Sequence, residues 1–165
     1  DFTISMEYSH HPPDYETIPF LASSPVIVAR SDHPLSGTHP GYLDLIKFPR
    51  IAVTLPDQSL TDFYRKFIAT HRDTSDWPSY YETESMLSAL SIIRMTDYLL
   101  PVPDFVANML ISTTDLQEFR FPGYNQSPYK YVIVFHRRIL DSPMHRWFCD
   151  ILKMLGQQIT VSSRP

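Results

Sequence analysis

The stretch Pro25-Val26-Ile27-Val28-Ala29-Arg30-Ser31-Asp32-His33-Pro34-Leu35, PVIVARSDHPL, decides how the rest of the chain is read. Three β-branched residues in a row carry no polar alternation, and Pro25 before them and Asp32-His33-Pro34 after them set sharp ends. That pattern predicts a short strand buried on both faces, of the kind found in parallel-type sheets covered by helices.

Working outward, the order is strands alternating with helices. Asp1-Phe2-Thr3-Ile4 reads as a strand from the first residue, with no cap, turn or leader before it. A polar loop with His10-His11-Pro12-Pro13-Asp14 follows, then Thr17 to Leu21, where the prolines forbid a helix. Gly41 to Phe48 is expected as a short helix with Leu43, Leu45 and Ile46 inward, and Arg50-Ile51-Ala52-Val53 as a second buried strand. Thr54 to Ser59 is a polar turn, and Phe63, Tyr64, Phe67 and Ile68 sit at helical spacing in residues 61 to 71. Ser79 to Thr83 reads as a strand. The helix after it runs from Glu84 to about Met95, with Thr83 as N-cap and Met86, Leu87, Leu90 and Ile93 on one face.

Further along, Tyr98-Leu99-Leu100 is expected as a strand, and Pro103 in the first turn of a helix burying Phe105, Val106 and Met109. Phe119-Arg120-Phe121 and Tyr131 to Phe135 supply two more strands. Ser142-Pro143 opens a last helix, whose apolar stripe is Met144, Trp147, Phe148, Ile151, Leu152 and Leu155. The alternation predicts an α/β sheet with helices on its faces.

Composition excludes several classes. A 165-residue chain that is 43% hydrophobic can bury one substantial core or two small ones. Its net charge of -4 argues against a dominant nucleic-acid surface, and the groups His71-Arg72 and His136-Arg137-Arg138 read as solvated faces. Cys149, the single cysteine, cannot form an intrachain disulfide. No apolar run approaches a membrane span and no signal peptide heads the sequence, so a soluble cytoplasmic protein is expected, without membrane partners.

The order of motifs resembles a known family. The run from Val26 through His33-Pro34-Leu35, the helix with Asp44-Leu45 ahead of a strand, the segment SMLSALSIIRMTDYLLPVPDFVANML (Ser85 to Leu110) and the last strand and helix together resemble the effector-binding domain of LysR-type transcriptional regulators. Within it, the LeuO-like and NodD-like branch is the nearest in pattern. Where that family commonly carries Gly-x-Gly, this sequence has Arg94-Met95-Thr96-Asp97.

The resemblance implies a periplasmic-binding-protein-like (type 2) α/β fold of two subdomains, with subdomain I incomplete. Residues 1–23 and 128–165 would be parts of subdomain I and 24–127 would be subdomain II, PVIVARSDHPL being the strand that enters it. It also implies that the family's winged helix-turn-helix, linker helix and first βαβ portion lie outside this sequence. DNA would then be bound only through the absent N-terminal domain. Homo-dimers or tetramers are expected, as is a small-molecule effector in the cleft between the subdomains, with no cofactor.

Ligands of open α/β sheets sit outside the carboxyl ends of strands, near free helix N-termini. The turn after Val53 meets both conditions, and Thr54, Asp57, Gln58 and Ser59 offer hydrogen bonds while Pro56 limits its motion. In the resemblance this turn lines the effector cleft. Ser5, Met6 and Glu7 would face it from subdomain I, and Thr83 begins another helix facing the hinge. The plainer reading is that Asp57 and Ser59 only cap a helix. Asp57 and Glu7 repel an anion unless helix dipoles outweigh them, which leaves the ligand's charge open.

Enzyme chemistry finds little support in the residues. Glu7, His10, His11 and Asp14 are metal-ligand types, but adjacent histidines diverge in an extended segment and no HExxH spacing is present. Cys149 and His145 lie one helical turn apart, yet no third group or oxyanion donor accompanies them, so a packed thiol is expected. Trp147 and Phe148 are expected in the core. The expectation is a non-enzymatic effector-sensing module; the alternatives are a stand-alone periplasmic-type solute-binding protein and a small hydrolase.

Overall fold

In the computed structural model, PVIVAR forms strand β3 (Pro25–Arg30), and every residue from Pro25 to Ala29 is buried. The structure describes residues 2–7, 11–53, 80–120 and 129–162. Val26 and Val28 join a core with Ile51, Ala89, Ile93, Leu100, Val102, Ala107 and Leu110. Ile27 and Ala29 join another with Leu45, Leu99 and Phe119. Side chains alternate across a strand, so these two cores lie on opposite faces of β3, which is why its sequence shows no polar alternation.

The chain divides into two compact units, Pro25–Gln126, and Asp1–Ser24 with Ser127–Pro165. In the first of these, β3 lies between β6 (Leu100–Pro103) and β7 (Leu116–Phe119), antiparallel to both. The expectation that β3 itself belongs to a parallel-type sheet is therefore corrected: a strand covered on both faces reads the same whichever way its neighbours run. Parallel pairing occurs one step away, between β4 (Arg50–Val53) and β5 (Tyr80–Thr83). A parallel bridge from Arg50 to Leu99, with the Ile51 N–H donating to the Leu99 carbonyl at 2.8 Å, ties β4 to the residue before β6.

Helices α2 (Met86–Met95) and α3 (Asp104–Thr113) contribute Ala89 and Ile93, and Ala107 and Leu110, to the Val26 core. The short α1 (Tyr42–Leu45) places Leu45 in the Ile27 core. Three expected inward positions are instead exposed: Leu43 at 67%, Leu87 at 77% and Met109 at 60%. In α2 and α3 the small Ala89 and Ala107 take the contact with the sheet, which turns Leu87 and Met109 outward.

Two boundaries also move. Thr83 is not the N-cap of α2: Ser85 is, its Oγ accepting the Ser88 N–H at 3.2 Å. The strand expected at Tyr98 to Leu100 lies at Leu100–Pro103, and Pro103 is the N-cap of α3 rather than a first-turn residue. Pro101 and Pro103 fall on the same ladder parity, opposite Ile27 and Pro25, so Leu100 and Val102 remain to hydrogen-bond β3. β7 ends at Phe119, and Phe121, like the turn 54–59 and the helix expected over 61–71, lies outside the described residues.

The other unit is a three-stranded antiparallel sheet in the order β1 (Phe2–Met6), β8 (Tyr129–His136), β2 (Tyr15–Ser23). The central β8 buries Val132, Ile133, Val134 and Phe135 in succession. A 3-10 turn, Arg137–Asp141, leads to α4 (Pro143–Ser162), which packs Cys149 and Leu152 with Ile133, Phe135 and Ile139. Along the apolar stripe of this helix, Met144 is 67% exposed, Trp147 62%, Phe148 39% and Leu155 42%. The expectation of Trp147 and Phe148 in the core is thus corrected. The packed face carries the smaller Cys149 and Gly156, which let the helix approach β2 closely.

Candidate functional site

The register of β4 and β5 sets Val53 beside Thr83, so two parallel strands end together. Thr54 to Ser59 follow Val53 directly in sequence; Thr54, Pro56, Asp57, Gln58 and Ser59 lie outside the described residues. Thr83 is half-buried, and its Oγ1 accepts the Ser85 N–H at 3.1 Å. Two successive hydroxyls, Thr83 and Ser85, thus hold the entry to α2, whose N-terminus adjoins the carboxyl end of β5. Strand ends followed at once by a helix N-terminus favour hydrogen-bond acceptors and negative charge.

In the other unit, Ser5 pairs with Val132 and Met6 with Tyr131, and Glu7 follows at the carboxyl end of β1. Ser5 is half-buried and Met6 is buried, so the exposed group there is Glu7. Its carboxylate lies 3.3 Å from the Lys130 ammonium, and its N–H donates to the Lys130 carbonyl at 2.9 Å. Lys130 is the residue that sequence reasoning missed. It balances the charge that Glu7 would otherwise present to an anionic ligand, and only the β1–β8 register, which sequence does not display, brings the two together.

The metal and nucleophile readings gain nothing from the geometry. Among the described residues no group of three or more His, Cys, Asp or Glu could hold a metal ion; His10 lies outside them. Cys149 is 4% exposed, and burial pushes its thiol above the ordinary value, opposite to what a nucleophile needs. The His145 ring packs against Phe2, with centroids 5.8 Å apart. Among the described residues no helix is long and apolar enough to cross a membrane.

Comparison with known proteins places this architecture. No curated protein matches the chain in sequence. Among solved structures, a "probable transcriptional regulator" from Pseudomonas aeruginosa aligns with a TM-score of 0.74 at 23% identity, over 93% of this chain and 50% of that one. The regulatory domain of MetR, a LysR family regulator from N. meningitidis, aligns with a TM-score of 0.70 at 17% identity, over 96% of this chain and 72% of that one. The effector binding domain of QuiR in complex with shikimate gives a TM-score of 0.71 at 16% identity, over 96% and 72%. The chain therefore spans half the length of the Pseudomonas regulator and less than three quarters of the two domains. The family model described as LysR substrate binding domain matches residues 1–156. That match covers nearly the whole chain, and the chain belongs to the LysR substrate binding domain family.

Proposed function

We propose that this chain is the effector-sensing part of a LysR-type transcriptional regulator, non-enzymatic and cytoplasmic. The observation that carries the reading is the family match over residues 1–156 of a chain that divides into two units. On this reading Asp1–Ser24 with Ser127–Pro165 belongs to subdomain I and Pro25–Gln126 is subdomain II. The LeuO- and NodD-like branch stays part of the proposal.

The effector is a small polar molecule. Ser5 and Glu7 serve it from subdomain I; Thr54, Pro56, Asp57, Gln58, Ser59 and Thr83 serve it from subdomain II. What supports this assignment is that Glu7 and Thr83 each stand at the carboxyl end of a strand, and that Thr54 to Ser59 follow in sequence directly after Val53, the last residue of β4. With Glu7 compensated by Lys130, a carboxylate ligand meets less repulsion than the sequence alone suggests. Effector binding shifts the equilibrium between two closures of the subdomains only through differential affinity for them. In the full-length dimer or tetramer that shift changes how the winged helix-turn-helix domains sit on DNA.

A thermal-shift screen of small polar metabolites tests the proposal, beginning with shikimate because the QuiR domain was solved with it. A ligand at about a hundredfold excess over its dissociation constant stabilises the fold by about 2.7 kcal/mol, a readily measured rise in Tm. Ligands that stabilise the chain and lose the effect in a Thr54→Ala, Ser59→Ala double variant support it; full retention of the effect in that variant rejects it.

A further inference from the structure

His33, 1% exposed, is the fully buried histidine among the described residues. The Leu35 N–H donates to its Nδ1 at 3.1 Å, so that nitrogen carries a lone pair and the ring proton sits on Nε2. Nε2 lies 3.3 Å from the carbonyl oxygen of Asp97. The ring is held between Phe48 and Phe119, with centroid distances of 4.6 and 5.9 Å. Asp97 is tethered a second time, its carboxylate accepting from Arg30 Nε at 3.2 Å and Nη2 at 2.7 Å. The turn after β3 is thus fastened to the α2–β6 junction through His33 and Arg30 together. This fastening lies at the end of β3 that adjoins the start of β6, whereas Thr83 lies where β5 ends.

We propose that His33 is an acid-sensitive latch: a second ring proton, taken up at Nδ1, sets one donor against another at Leu35 and undoes the bond that closes the turn, while Nε2–H keeps its place at the Asp97 carbonyl. No other group of the ring can accept that N–H, so the bond is lost rather than exchanged. The charged groups acting on the ring are Asp97 and Asp32, which favour the cation, and Arg30, which opposes it. Burial opposes the cation more strongly than any of these, and His33 titrates below the ordinary histidine value. A histidine whose folded value is depressed gives its full stability above the unfolded value, near 6.5. That stability drains as pH falls from there through the folded value, because the unfolded chain binds the proton first. The latch is therefore closed at neutral pH and opens on acidification.

Nuclear magnetic resonance of the 165-residue chain reads the latch directly. At pH 7.5 the His33 ring should be the Nε2–H tautomer, with a titration midpoint below about 6.5. Through that titration the Leu35 amide should lose roughly tenfold or more of its hydrogen-exchange protection relative to the intrinsic rate. In His33→Asn, which offers an acceptor that does not titrate, the corresponding fall in Tm between pH 7.5 and 5 should be absent. An Nδ1–H tautomer, a midpoint at or above 6.5, or unchanged Leu35 protection across the titration overturns the proposal. The wild-type spectra decide it even where the variant folds poorly.

Discussion

Gly156 in α4 faces the backbone carbonyl of Phe20 so closely that a Cβ at position 156 would overlap both its oxygen and its carbon. The cause lies in β2. Its register with β8 jumps from Pro19↔Val132 to Leu21↔Tyr131, so Phe20 is the extra residue of a bulge. A proline cannot donate to a ladder, and bulges are where sheets tolerate it. Phe20 packs into the core beneath α4, and Gly156 makes room for it.

The first prediction follows from that contact. Gly156→Ala gains about 1 kcal/mol of helix propensity, but the clash is with backbone, which cannot rotate away. Overpacking of this kind costs about 1–3 kcal/mol, so a net loss of stability is expected. Urea unfolding checks it; an unchanged or raised midpoint would show that α4 does not sit against Phe20.

A second prediction separates the two faces of α2. Ile93 is fully buried in the Val26 core, while Leu87 is 77% exposed. Ile93→Ala should cost about 2–5 kcal/mol. Leu87→Ala should change stability by less than about 0.5 kcal/mol. Comparable losses in the two variants would restore the face that periodicity suggested.

Cys149 supplies a third. Its buried thiol, pushed above the ordinary value by desolvation, gives little thiolate in the folded chain. Alkylation by iodoacetamide at pH 8 should therefore be at least roughly tenfold slower in buffer than in denaturing urea. Equal rates would mean that α4 leaves Cys149 accessible.

Much of the fold is legible in the sequence, for identifiable reasons. The apolar runs Val26 to Ala29 and Val132 to Phe135 are central strands of their sheets, where burial on both faces erases alternation. The same burial hides direction, which is why β3 reads as parallel and is antiparallel. In α4 apolar residues cover more of the circumference than one contact can use, and size decides between the faces. Cys149 and Gly156 permit close approach to β2, whereas Trp147 and Met144 do not, and the small residues were the available signal. In β6, prolines at alternate positions made the strand read as ending at Leu100, because their compatibility with a ladder depends on register. For the candidate site, strand ends and hydroxyls were readable, but the pairing of Lys130 with Glu7 depends on the β1–β8 alignment, which composition and spacing do not carry.

The central claim, that the chain binds a small effector through residues of both units, is tested most directly by calorimetric titration of a stabilising metabolite into three proteins. These are the unaltered chain, Ser5→Ala, and the Thr54→Ala, Ser59→Ala double variant. The account predicts one binding event on the unaltered chain and weakening in both variants, by about tenfold or more where a hydrogen bond of about 1.4 kcal/mol or more is lost. Affinity unchanged in either variant would contradict it.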